Sequence, residues 1–198
     1  MDLEATLRLL KSGKKLHIVA LGDSLTYGWM VQKGYIDFFS ELLTRKYPGS
    51  RFVITNKGVP GDTAAGGLQR LQRDVLDLQP DLVFVQFALN DAFCGVSPEQ
   101  FQSSVTGIID RIRRHTAAEI LLMSSVALPA SENRIVAGHY DALARIAETE
   151  QVAVARVHEY WQQKAAEGPL PAPPVQADGV HPTEYGYRLM AEAVMLCF

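Results

Sequence analysis

The sequence has little cysteine, almost no net charge and no long hydrophobic run. Its two cysteines, Cys94 and Cys197, allow a single bridge, which is weak support in a chain of 198 residues, so it does not read as a disulfide-stapled scaffold. A formal charge of −3 is too small to steer a polyanion, and the basic residues form no stripe interleaved with aromatics. Nucleic acid is therefore not an expected partner. The first apolar run, LHIVAL, and every later one fall far short of the roughly 20 residues that span a bilayer, so no stable membrane insertion is expected. The opening segment, MDLEATLRLLKSGKKLHIVALGDS, lacks a basic region, a long apolar stretch and a small-residue cleavage site. Cytoplasmic residence is the default expectation, although an exported chain already freed of its leader would read the same way. His17, His115, His139 and His158 form no HExxH or other compact ligand pattern, so neither a metal nor another cofactor is expected. Repeats, heptads and low-complexity tracts are also missing. Oligomeric state is left open.

What is present is an ordinary globular balance, 47% apolar and 21% charged, in a length that suits one domain spanning residues 1–198. Short apolar runs at 16–21, 51–56, 82–87, 120–124 and 152–155 read as strands. Helical spacing or length marks 35–47, 68–78, 98–115, 133–149 and 183–196. This alternation predicts an α/β fold with a mostly parallel sheet covered on both faces. Ligands bind such sheets at the carboxyl ends of the strands. The loops that begin GDSLTYG, KGVPGDT and ALND lie there, and a fourth, SSVALP, reads as part of the rim. The passage GPLPAPPVQADGVHP, with five prolines and two glycines, excludes regular structure ahead of the last helix.

Five positions on these segments carry chemistry. Ser24 follows a buried strand and Gly22-Asp23, where its hydroxyl can enter the crevice, although a lone serine in such a loop is more often a cap. The G-x-S-x-G elbow of ordinary α/β-hydrolases is absent, because Thr26 stands two residues after the serine. Asp178 and His181, separated by Gly179 and Val180, can meet across one tight turn; the plainer alternative is a capping aspartate beside a surface histidine. The N–H groups of Ser24 and Gly61 and the side-chain amide of Asn90 could together hold a developing oxyanion, although alone the latter two read as turn residues.

The blocks GDSLTYGW (22–29), NKGVPGDT (56–63), ALND (88–91) and DGVHP (178–182) occur in an order and spacing that resemble the GDSL, or SGNH, hydrolase family. That resemblance runs from Ile18 to the final helix. It implies a three-layer α/β/α sandwich with a central five-stranded parallel sheet, flavodoxin-like in topology. It also implies Ser24 as nucleophile, Asp178 and His181 as the rest of a catalytic triad, and Ser24, Gly61 and Asn90 as oxyanion hole. One departure stands out: Ala88 occupies a position that is usually glycine in the family. Asp23, Asp91 and Thr63 are expected to hold backbone N–H groups and not to exchange protons.

These residues predict a serine ester hydrolase that works through an acyl-enzyme on a small-molecule acyl ester. Tyr27, Trp29, Met30, Val31 and Phe93 favour a short or apolar acyl ester, with thioesters and lysophospholipids within reach. A carbohydrate O-acetylesterase is the enzymatic alternative, and a non-catalytic binding protein on the same fold is the alternative of another class. No inserted cap segment is evident, so the crevice should be open, with the Pro-rich approach to Asp178 as one wall. Cys94 lacks an adjacent base and is a poor competing nucleophile.

Overall fold

The computed structural model describes residues 3–128 and 130–198. Pro129, which ends the SSVALP rim segment, and the first two residues of the stretch read for an export signal lie outside them. Five strands, β1 (Lys15–Gly22), β2 (Arg51–Gly58), β3 (Leu82–Gln86), β4 (Glu119–Met123) and β5 (Ala153–Ala155), form one parallel sheet in the order β2-β1-β3-β4-β5. This is the flavodoxin-like order, in which the chain reverses direction of growth between β1 and β3. Ile18–Gly22 and Leu82–Gln86 are buried along their whole length. Covered on both faces, they show unbroken apolar runs where a half-exposed strand would alternate. The edge strand β2 stays half exposed.

The helices are α1 (Glu4–Ser12), α2 (Ser24–Tyr27), α3 (Tyr35–Lys46), α4 (Ala64–Asp74), α5 (Leu89–Phe93), α6 (Pro98–His115), α7 (Ala130–Glu150), α8 (Val157–Ala166) and α9 (Glu184–Met195). Helices α3, α8 and α9 pack together, as do α4, α6 and α7, giving the two outer layers of an α/β/α sandwich. Phe84 of β3 meets Phe39 of α3 at 5.3 Å between ring centroids, and Phe198 closes the cluster at 5.1 and 6.3 Å. Burying an aromatic of this kind is worth about 1.5–3 kcal/mol, so this contact fixes α3 and the chain end to the sheet. Among the described residues no helix is long and apolar enough to cross a membrane.

Helices α1, α2 and α5 and the bounds of α4 depart from the sequence reading. Helix α1 was not expected; its first N–H groups, from Ala5 and Thr6, are accepted by the Glu119 carboxylate on β4 at 2.9 and 2.8 Å. The helix expected over 68–78 begins earlier, at Ala64, because Thr63 caps it. It ends at Asp74 and is followed by a 3-10 turn over Leu76–Leu78. For the site, register matters most. Gly22 of β1 pairs with Gly58 of β2 and with Gln86 of β3, so three strands end flush and their loops rise from one edge.

Candidate active site

Ser24 is the first residue of α2, directly beyond β1. Asp23 caps this short helix, its carboxylate accepting the Leu25 N–H at 2.9 Å. The N–H of a first helical residue has no partner inside the helix, so that of Ser24 remains available to a ligand. The turn is clamped from beneath. Thr26 donates its hydroxyl to Gln86 Oε1 at 2.8 Å, and Asn56 Nδ2 donates to the Thr26 carbonyl at 2.8 Å. Ser24 itself is only 6% exposed.

Asp178 and His181 lie on a loop stitched to itself ahead of α9. Gln176 N–H donates to the His181 carbonyl at 2.8 Å, and Thr183 N–H to the Pro174 carbonyl at 3.0 Å. Asp178 Oδ1 accepts the N–H groups of both Val180 and His181 at 3.0 Å, which leaves Oδ2 facing His181 Nδ1 at 2.7 Å. Burial opposes ionisation of Asp178, but the Val180 N–H and the contacts with His181 outweigh it and hold the carboxyl below its ordinary value. An ionised carboxylate only accepts, so Nδ1 carries the imidazole proton and Nε2 presents its lone pair. That nitrogen sits 3.0 Å from Ser24 Oγ. The structure thus joins two residues and a third that are 157 positions apart into one hydrogen-bonded chain.

The other expected donors rise from β2 and β3. Asn90, in α5, gives one amide proton to the Asp62 carbonyl at 2.9 Å, which fixes the plane of the amide and leaves a second proton. Gly61 is exposed and adopts φ +78°, and a Cβ there would meet no protein atom within 4 Å. Asp91 points away from solvent and accepts the Ala64 N–H at 3.1 Å, while Thr63 Oγ1 accepts that of Gly66 at 3.3 Å. Both, like Asp23, hold backbone groups. Burial pushes the Asp23 carboxyl up to about 7 and that of Asp91 up to about 6. Ala88, which precedes α5, is fully buried at φ +136° and ψ −40°, a conformation that suits glycine.

Tyr27, Trp29, Met30 and Phe93 are exposed, with Trp29 6.4 Å from the His181 ring between centroids. Val31, expected with them, packs instead against the core. Cys94 is exposed and Cys197 partly buried, both as free thiols. Sequence reasoning passed over Thr26, Asn56, Arg70 and Gln86, all of which secure the site's loops. Gln86 alone had a visible signal, as an amide at the end of a buried apolar strand.

A hydroxyl bonded to an oriented imidazole, beside donors fixed in advance on neighbouring loops, is equipped for acyl transfer through a serine. The comparisons with known proteins agree. The model of the GDSL-like lipase/acylhydrolase family matches residues 20–189. The chain is 28% identical over 137 residues to an arylesterase of Vibrio mimicus, covering 68% of this chain and 67% of that one. It is 29% identical over 117 residues to "Thioesterase 1/protease 1/lysophospholipase L1" of Escherichia coli K12, covering 59% and 54% of the two chains. The matched stretch thus spans about half the length of that relative. In structure it is similar to an acetylxylan esterase from Geobacillus stearothermophilus, with a TM-score of 0.80 at 20% identity over 96% of this chain and 95% of that one. With three of its four motif segments on flush strand ends, the fourth on the loop ahead of α9, and the family model spanning residues 20–189, the chain belongs to the GDSL-like lipase/acylhydrolase family of serine ester hydrolases.

Proposed function

We propose that Ser24 is the nucleophile, His181 the general base, Asp178 its orienting acid, and that Ser24 N–H, Gly61 N–H and Asn90 Nδ2 form the oxyanion hole. The observation that carries this reading is the continuous chain Asp178 Oδ2 to His181 Nδ1 (2.7 Å) and His181 Nε2 to Ser24 Oγ (3.0 Å). Ser24 Oγ attacks the ester carbonyl as Nε2 takes its proton, and the three donors hold the oxyanion. Collapse breaks the bond to the alcohol, which leaves with the proton from His181. Water then attacks the acyl-enzyme with the same base and releases the carboxylic acid.

For the substrate we infer an O-acetyl ester of carbohydrate, in preference to the apolar acyl ester that the sequence favours. His181 must face the leaving group to protonate it, and Trp29 beside it, with Tyr27 6.1 Å from Trp29 between centroids, offers exposed ring faces on that side. Flat aromatic faces suit the C–H faces of a sugar ring. The near-full-length likeness to an acetylxylan esterase supports this choice. Exposed Met30 and Phe93, together with the arylesterase and thioesterase relatives, favour apolar esters and thioesters as the second reading.

The test is a comparison of acetylated xylooligosaccharides, aryl esters, acyl thioesters and lysophospholipids, each with the wild type and Ser24→Ala. The acetylated sugar should show the largest Ser24-dependent kcat/KM, and Trp29→Ala should raise its KM. A larger value on thioester or lysophospholipid would establish the second reading. A wild type inert on the whole panel and to organophosphonate would make the chain a binding protein.

A further inference from the structure

Arg70 lies on α4 and hydrogen-bonds to none of the catalytic side chains, yet its side chain is only 11% exposed and all three of its nitrogens are engaged. Nη2 donates to the Gly22 carbonyl at 2.9 Å, at the end of β1 and two residues before Ser24. Nη1 donates to the Lys57 carbonyl at 2.8 Å, at the end of β2 on the way to Gly61. Nε donates to Asp62 Oδ2 at 2.7 Å. Asp62 is the residue whose carbonyl holds the Asn90 amide at 2.9 Å. Its other carboxylate oxygen accepts the Thr63 N–H at 3.0 Å and lies where a Cβ on Gly66 would be, 1.8 Å away, so the helix has left room for this carboxylate. One planar cation therefore ties the segments that carry all three oxyanion donors. Nη1 is anchored in turn by Asp74 Oδ2 at 3.0 Å, within α4.

We infer that Arg70 is a positioning residue for the oxyanion hole, acting through Gly22 and Asp62 and making no contact with substrate. The inference rests on the roles proposed above for Ser24, Gly61 and Asn90. A guanidinium can serve three acceptors in fixed directions at once, whereas the ammonium of lysine cannot reproduce that fork. Oxyanion donors act only if they are in place before charge develops, so a shift in their spacing lowers kcat and leaves ground-state binding nearly unchanged.

The experiment is a kinetic double-mutant cycle of Arg70→Met with Asn90→Ala on an activated acetyl ester, with Arg70→Lys and Asp74→Asn alongside. Arg70→Met should lower kcat by roughly 10²-fold, the scale of an ångström-sized misplacement, with KM changed by less than about 3-fold. Arg70→Lys should recover little of it. In the Asn90→Ala background the same change should cost less than about 10-fold, because one of the three donors it positions is already gone. Asp74→Asn should lower the melting temperature and keep kcat. If Arg70→Met fails to fold, Asp62→Asn, which keeps the Asp62 carbonyl for Asn90, takes its place in the cycle with the same expectations. Fully additive losses, or a loss in KM alone, would overturn the inference and leave Arg70 as a stabilising residue only. A Ser24→Ala protein that still turned over the ester would instead overturn the underlying site assignment.

Discussion

Replacing Ala88 with glycine should cost far less stability than the same change at an unstrained buried alanine. Ala88 is held at φ +136° and ψ −40° with no exposed surface. A residue in such a sparsely populated region carries about 1–3 kcal/mol of strain, all of which glycine would release. Against this stand about 0.4–1 kcal/mol of extra unfolded-chain entropy and about 0.8 kcal/mol for the lost buried methyl. The net lies between roughly 0.8 kcal/mol of loss and 1.8 kcal/mol of gain. The comparison that isolates strain is Ala191→Gly, at a fully buried position in α9. That substitution meets the same two costs with no strain to release, so Ala88→Gly should be the more stable of the two by about 1–3 kcal/mol. Urea unfolding at one pH, with equal m-values, measures the difference, and thermal melts should separate the pair by about 2–4 °C per kcal/mol. Equal destabilisation of the two proteins would refute stored strain at Ala88. Because Ala88 lies two residues before Asn90, Ala88→Gly should also alter relative rates across a series of acyl chain lengths, measured as kcat/KM.

Asp178→Asn should lower kcat by roughly 10⁴-fold with little change in melting temperature. Asparagine can still accept the two backbone N–H groups, but its amide faces Nδ1 and favours the tautomer that cannot take the Ser24 proton; a loss under about 10-fold would refute the assignment. Asn90→Ala should reduce kcat by about 10²–10³-fold, or roughly 3–4 kcal/mol, with KM nearly constant, and Ser24 should still be labelled by organophosphonate. Stability should also fall from about pH 4 to pH 7. Asp23 and Asp91 bind protons in the folded chain up to about 7 and about 6, against an ordinary value of 3.8. Their contribution is therefore whole below pH 3.8 and lost as pH rises through the folded values, at about 1.4 kcal/mol per unit for each group. Asp23→Asn should flatten that slope in urea titrations; an unchanged slope would refute a protonated Asp23.

The parts legible in the sequence are those with a single physical cause acting locally. Ile18–Leu21 and Leu82–Val85 are apolar because both faces of the strand are covered, so their short unbroken runs betrayed them. Ser24, Asp178 and His181 were visible because acyl transfer demands those side chains, and a three-residue spacing suffices to bring the last two together. What escaped notice depends on distant partners or on too few residues. Helix α1 is capped by Glu119, more than a hundred positions away; its own signal, Leu3, Leu7 and Leu10 followed by Gly13, spans barely two turns. The helices α2 and α5 are too short to show a period. Arg70 looks like any polar residue on an amphipathic helix, and only the folded chain reveals that it faces the strand ends. Trp29 and Val31 are both apolar and two residues apart; one is exposed and one packs inward, which periodicity within so short a loop does not resolve.

The loop that orients His181 is among the last parts of the chain, and the strand that presents Ser24 is among the first. During synthesis Ser24 therefore leaves the ribosome long before His181. On the roles proposed above, a nascent chain would lack its base until the segment from Pro174 to Thr183 lay beside α2. A fragment cut short before His181 would keep the central strands and three of the four motifs, and would lack the imidazole that faces Ser24.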